Sequence, residues 1–120
     1  MGKRILVVED SFGDRMVLRD YLVSFGYSIV GEAKNIDESL EKYRKLQPDL
    51  VLMDAAIPDS DAVSGMMKLF RVDPDVNVLV CVSRGQRMLA MEAIAAGAKD
   101  FVTKPFNPRS LHKALKSVMG

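Results

Sequence analysis

Short runs rich in branched apolar residues recur five times in this chain, and each interval between them carries helical spacing. The runs cover residues 4–8, 27–31, 49–53, 76–82 and 100–103. Between them, Leu18, Tyr21, Leu22 and Phe25 repeat at i, i+3, i+4 and i+7, the buried stripe of one helix. Ile36, Leu40 and Tyr43 mark a second helix, and Val63, Met66, Met67 and Phe70 a third. Leu89, Ala93, Ile94 and Ala96 suggest a fourth, and Leu111, Ala114, Leu115 and Val118 a fifth. A helix in every gap makes the units βαβ, so the strands run parallel with right-handed crossovers. The runs Ile5-Leu6-Val7-Val8 and Val78-Leu79-Val80-Cys81-Val82 are unbroken apolar stretches, which requires helices on both faces of the sheet. The expected fold class is a doubly wound, five-stranded α/β sandwich.

The punctuation agrees. Asn35 stands where a helix cap belongs, with Glu38 three residues on, close in form to a capping box. Asn107-Pro108 reads as cap and first helical residue of the last helix. Gly26 and Gly97 follow the first and fourth helices, where a left-handed residue ends many helices. The 120 residues are expected to form one domain with a core that needs no staple. A net charge of +1 creates no broad field toward nucleic acid or membrane. The single cysteine, Cys81, excludes an internal disulfide and reads as core. The start MGKRILVVED has no signal-peptide pattern, and no apolar stretch nears the roughly 20 residues that span a bilayer. A cytoplasmic, soluble domain is expected.

In open parallel sheets, ligands bind beyond the carboxyl ends of the strands. Glu9-Asp10 end the first strand, Asp54 the third, Val82-Ser83 the fourth and Thr103-Lys104-Pro105 the fifth. Three gathered carboxylates repel and raise one another's pKa, which a divalent cation relieves. An all-oxygen set suits Mg²⁺, and Lys104 suits a phosphoryl oxygen as a compact charge. Acids, metal and lysine together point to phosphoryl transfer, with a carboxylate as a possible nucleophile. Neither a P-loop nor a G-x-G-x-x-G pattern is present, and the acidic loop after the first strand would repel a nucleotide's phosphates.

The stretches ILVVED, DLVLMDAAIP and GAKDFVTKPF, in that order and spacing, resemble the receiver domain of bacterial two-component response regulators. The resemblance covers essentially the whole chain, 1–120, as one receiver domain. It implies a flavodoxin-like (βα)5 fold with strand order 2-1-3-4-5, a family property not read off this chain. It implies Asp54 as phosphoacceptor and Glu9 and Asp10 as the acids that hold Mg²⁺ (or Mn²⁺), Asp10 being the first choice as direct ligand. Asp54 and the backbone carbonyl of Ala56 would complete the protein ligands. Lys104 would pair with the phosphoryl group, and Pro105 would follow it in a bond the family often holds cis. Phe101 falls at the switch aromatic. The implied partners are a sensor histidine kinase or phosphotransfer protein, and a downstream protein bound on the fourth helix–fifth strand–fifth helix face.

Some positions depart from the family pattern. The threonine or serine that ends strand four would be Val82, whose methyls cannot hydrogen-bond a phosphoryl oxygen. Ser83 faces the other way by strand alternation and takes that place only if the strand bulges by one residue. Phe101 has no hydroxyl, Ala62 stands where a glycine is usual, and Ala56 and Arg84 occupy the positions that tune phosphoryl lifetime. Phosphorylation with a weakened switch is the first expectation. The alternative is a pseudo-receiver that binds partners without phosphorylation. An aspartate-nucleophile phosphatase ranks last: its D-x-D would need an acid at Ala56, and no cap domain fits. No enzymatic activity is expected beyond self-phosphorylation and dephosphorylation, and no DNA-binding element remains. His112, the sole histidine, reads as solvated, and Met88 and Met91 as helix surface or partner face.

Overall fold

The computed structural model describes residues 2–57 and 62–120. Five strands alternate with five helices: β1 (Arg4–Val8), α1 (Phe12–Ser24), β2 (Ser28–Ala33), α2 (Ile36–Leu46), β3 (Leu50–Asp54), α3 (Ala62–Val72), β4 (Val78–Ser83), α4 (Arg87–Ala95), β5 (Asp100–Lys104) and α5 (Pro108–Met119). All strand pairs are parallel, in the order β2-β1-β3-β4-β5. This is the flavodoxin-like arrangement, with the chain reversing direction of travel after β2. No described helix is long and apolar enough to cross a membrane.

Alternation along the strands sorts the core into two layers. Ile5, Val7, Leu50, Leu52, Leu79, Cys81 and Val102 pack with Leu18 and Leu22 of α1 and Leu111 and Leu115 of α5. Leu6, Val8, Val51, Met53, Val80 and Val82 pack with residues of α2, α3 and α4, including Ile36, Met66, Leu69 and Ala93. The three inner strands are buried along nearly their whole length, which is why they appear as unbroken apolar runs.

The expected caps form. Asn35 Oδ1 accepts from Glu38 N–H at 2.9 Å, and Asn107 Oδ1 accepts from Ser110 N–H at 3.0 Å, with Pro108 at the first helical position. The return arm of the capping box differs: Glu38 Oε1 accepts from the backbone N–H of Lys34, and Oε2 from the side-chain amide of Asn35. Gly26 and Gly97 have φ of +91° and +121°, as helix-ending glycines do. The α2 terminus uses Gln47 instead, at φ +46°, where no glycine signals it.

Two strands differ most from their expected bounds: β4 runs over Val78–Ser83 and not 76–82, and β2 over Ser28–Ala33 and not 27–31. β2 is an edge strand paired only with β1, and its register slips between Ile5 and Leu6, skipping Val30. A half-covered, bulged strand loses the continuous apolar signal that marks its neighbours. At Gly31 a Cβ would meet Leu46 Cδ1 at 2.8 Å, so α2 packs directly on the strand backbone there.

Candidate functional site

Strand alternation positions the charged residues. Glu9 follows β1 with the parity of Ile5 and Val7, Asp54 ends β3 with that of Leu50 and Leu52, and Lys104 ends β5 with that of Val102. All three therefore emerge on the layer side covered by α1 and α5, at the carboxyl edge of the sheet. Glu9 is 1% exposed and Asp54 7%, so both are buried acids. Asp10, the next residue, is exposed. Carboxylate oxygens of Glu9, Asp10 and Asp54 lie within 4.8 Å of one another.

Lys104 Nζ sits among the acids. It donates to Glu9 Oε1 at 2.6 Å, Asp14 Oδ2 at 2.8 Å and Asp54 Oδ2 at 3.0 Å. The other oxygen of Asp54, Oδ1, accepts from the N–H of Ala56 at 3.0 Å. Glu9 Oε2 accepts from the N–H of Ser11 at 3.2 Å. The Lys104–Pro105 peptide bond is cis.

The electrostatics follow from crowding in a dry place. Burial, then the hydrogen bond with Asp54 and its charge, push the Glu9 carboxyl up to about 7, against the pull of Lys104. Burial also works to raise Asp54, but its hydrogen bonds with Glu9, the Ala56 N–H and Lys104 outweigh it and leave Asp54 below the usual carboxylate value. Of the two neighbouring carboxyls Glu9 is the one pushed upward and Asp54 the one held low, so a shared proton settles on Glu9 as pH falls toward 7. Burial works to discharge Lys104, yet Asp14, Glu9 and Asp54 hold its pKa above the ordinary lysine value. A proton on Glu9 would relieve a repulsion that a divalent cation would also relieve. The donor set is all oxygen and clustered, which fits a hard cation such as Mg²⁺.

Val82 and Phe101 lie apart from this cluster. Val82 is 2% exposed, and it belongs with the partly buried Phe101 to the α2–α3–α4 layer. Val82 pairs with Thr103 and Ser83 with Lys104, in a register that runs without a bulge. Val82 therefore faces away from Asp54 and Lys104. Ser83 shares the parity of Cys81, and with it that of Asp54 and Lys104, so its side chain emerges on the site side without a bulge, contrary to the expectation that only a bulge would bring it there. It is exposed and donates its N–H to Gln86 Oε1 at 2.8 Å. Arg84 is exposed and lines a groove of about 420 Å³ with Phe101, Lys104 and Lys113. The loop whose stiffness was tied to Ala62 lies outside the described residues.

Sequence reasoning missed three contributors from α1. Ser11 caps the helix by accepting from Asp14 N–H at 3.3 Å. Arg15 Nη1 donates to the carbonyls of Glu9 and Asp10 at 2.9 and 3.1 Å, which ties down the acidic loop. Asp14 reaches Lys104. An acid in a first helical turn ordinarily reads as a complement to the helix dipole, so only the β5–α1 juxtaposition reveals its partner. His112 also departs from expectation: it is half-buried and stacks on Phe25, with centroids 4.3 Å apart and planes 7° from parallel. Cys81 is buried in the core, as its apolar strand suggested.

A (βα)5 sheet with an acid trio and a lysine at its carboxyl edge defines a response-regulator receiver domain. The family model of that domain matches residues 5–116, and the chain belongs to this family. Within it, the chain is similar to the chemotaxis protein CheY of Thermotoga maritima, 42% identical over 118 residues and 98% of each chain. Among solved structures, the CheX–CheY–BeF3–Mg complex from Borrelia burgdorferi contains a chain that matches with a TM-score of 0.91 at 24% identity, over 98% of this chain and 90% of that one. The receiver domain of the sensor histidine kinase PA1611 of Pseudomonas aeruginosa PAO1, with a magnesium ion coordinated in its active site cleft, matches with a TM-score of 0.86 at 24% identity, over 100% and 99%. These two likenesses bear on the fold.

Proposed function

We propose that this receiver domain takes a phosphoryl group from a phosphohistidine onto Asp54 in a Mg²⁺-dependent reaction and signals by protein binding. The observation that carries this reading is Asp54 itself: a buried strand-end carboxylate, held below the usual carboxylate range, 3.0 Å from Lys104 Nζ. A carboxylate oxygen of Asp54 attacks phosphorus, the P–N bond to the donor imidazole breaks, and its electron pair leaves with the imidazole, which departs neutral because its other ring nitrogen already carries a proton. Lys104 carries the charge that a phosphoryl oxygen would meet. Asp10, Asp54 and the Ala56 carbonyl would hold the ion, with Glu9 beside them. When bound, Mg²⁺ neutralises charge on the transferring oxygens. Arg15 keeps the backbone of the acidic loop in place.

The donor would be a sensor histidine kinase or a phosphotransfer protein, with which receiver domains work. The output partner would bind at α4–β5–α5, where Met88 and Met91 are exposed and a groove lies beside Phe101. The domain would act in the cytoplasm and catalyse nothing beyond its own phosphorylation and dephosphorylation. The departures from the family pattern at Val82 and Ala62 favour a second reading, a pseudo-receiver that binds partners without phosphorylation; against it, Ser83 carries a hydroxyl on the site side of the sheet, paired with Lys104. Intact-mass analysis after incubation with acetyl phosphate and Mg²⁺ separates the two. A phosphoryl adduct on the wild type that is missing from Asp54→Ala supports phosphoacceptance. No adduct, and no binding of beryllofluoride with Mg²⁺, supports the pseudo-receiver.

A further inference from the structure

Asp14 Oδ2 is nearer to Lys104 Nζ, at 2.8 Å, than Asp54 Oδ2 is at 3.0 Å. Phosphoacceptance as described leaves this third carboxylate without a role. Asp14 belongs to the first turn of α1, where its own N–H is fixed on Ser11 Oγ. Its backbone is thus held by the helix cap and not by the lysine. Its side chain is 36% exposed, against 8% for Asp54, so it stands at the mouth of the site.

An ammonium has three N–H donors, and Glu9, Asp14 and Asp54 take all three here. A phosphoryl oxygen that arrives at Asp54 finds none free and must displace one acceptor. Glu9 is deeply buried, while Asp54 becomes the site of attachment, so Asp14 is the partner with which the phosphoryl group competes. Asp14 also adds a negative charge on the approach of a dianion.

We infer that Asp14 is a positioning residue that restrains Lys104 and holds down the affinity of the site for a dianionic phosphoryl group. This rests on the phosphoacceptor reading and specifies how that site is tuned. Asp14→Asn keeps the shape, the cap and a hydrogen-bond acceptor, and removes only the charge. A neutral acceptor binds an ammonium less strongly than a carboxylate does, so the lysine is released toward Asp54.

The test uses the full chain with beryllofluoride and saturating Mg²⁺, followed by amide NMR, and acetyl phosphate concentration series read by intact mass. D14N is expected to bind beryllofluoride roughly three- to tenfold more tightly, from the size of such partly exposed charge effects. Half-saturating acetyl phosphate should fall by a similar factor, with the limiting rate changed by less than about twofold. Asp14→Glu, which keeps the charge, should return both values toward wild type. If wild type binds beryllofluoride and D14N binds it equally or more weakly, the inference fails and phosphoacceptance stands. If the gain is explained by tighter Mg²⁺ binding alone and disappears at saturating Mg²⁺, the inference also fails. If neither protein binds beryllofluoride or forms an adduct, the phosphoacceptor reading fails and takes the inference with it.

Discussion

Lys104→Met should destabilise the metal-free domain by an amount that grows with pH. Methionine keeps most of the buried stem and removes the charge from among three carboxylates at 2.6, 2.8 and 3.0 Å. Removing one partner of a buried pair costs about 3–5 kcal/mol. Asp14 is a third exposed, so its share is at most about 1 kcal/mol. The buried remainder, Glu9 and Asp54, can share a proton, and that sets the pH dependence. Glu9 has its carboxyl raised from 4.5 to about 7, so the folded state binds more protons than the unfolded state between those values. Wild-type stability therefore falls as pH rises through that window and levels off above it. Lys104 opposes the rise in Glu9, so without it the window reaches higher and the variant keeps losing stability where wild type has levelled. Asp54, lowered from 3.8, loses its contribution only at more acid pH, outside the measurement. Lys104 stays charged throughout, since its pKa is raised above 10.5. The expected cost is about 1 kcal/mol near pH 5 and about 3 kcal/mol near pH 8.5. Urea unfolding in EDTA, followed by far-UV circular dichroism because the chain has no tryptophan, measures it. An equal cost at both pH values would refute the proton-sharing argument, and a cost below about 0.5 kcal/mol at both would refute the ion-pair argument.

Val82→Thr puts a hydroxyl into an apolar layer where Val82 is 2% exposed, and should cost about 1–2 kcal/mol by urea unfolding. The same variant should enlarge the NMR shift between free and beryllofluoride-bound states; equal shifts in both proteins would show that Val82 does not limit switching. Gly97→Ala should cost about 2–3 kcal/mol, because φ is +121° and the new Cβ would meet the Phe70 ring at 2.7 Å. A midpoint within error of wild type would contradict that geometry.

The parts of this fold that could be read from sequence are those where one local rule acts alone. The inner strands are covered on both sides, so they read as apolar runs, and Asn35, Asn107, Gly26 and Gly97 read as caps because capping is local. The acids and the lysine were legible because parallel topology dictates which strand ends share an edge. The edge strand β2 was misplaced because half-coverage and a slipped register blur its period. Asp14 and Arg15 were missed for a different reason. Their partners are set by how α1 lies over the strand ends, and Asp14 is 90 positions from Lys104. His112 was read as solvated because its ring partner Phe25 comes from α1, at the other end of the chain.

The two-layer sorting of side chains has a consequence for how this domain transmits anything. Asp54, Glu9 and Lys104 rise from the parity that α1 and α5 cover, whereas Val82 and Phe101 belong to the parity covered by α2, α3 and α4. The sheet is thus a wall between two rooms, the acids and the lysine in one and Val82 and Phe101 in the other. A parallel sheet this well buried does not bend to order. The passage between the rooms is the top of the wall, where Val82 stands beside Thr103 and Ser83 beside Lys104. Any signal from Asp54 would cross at that doorway, with Ser83 on the near side of the wall and Val82 on the far side.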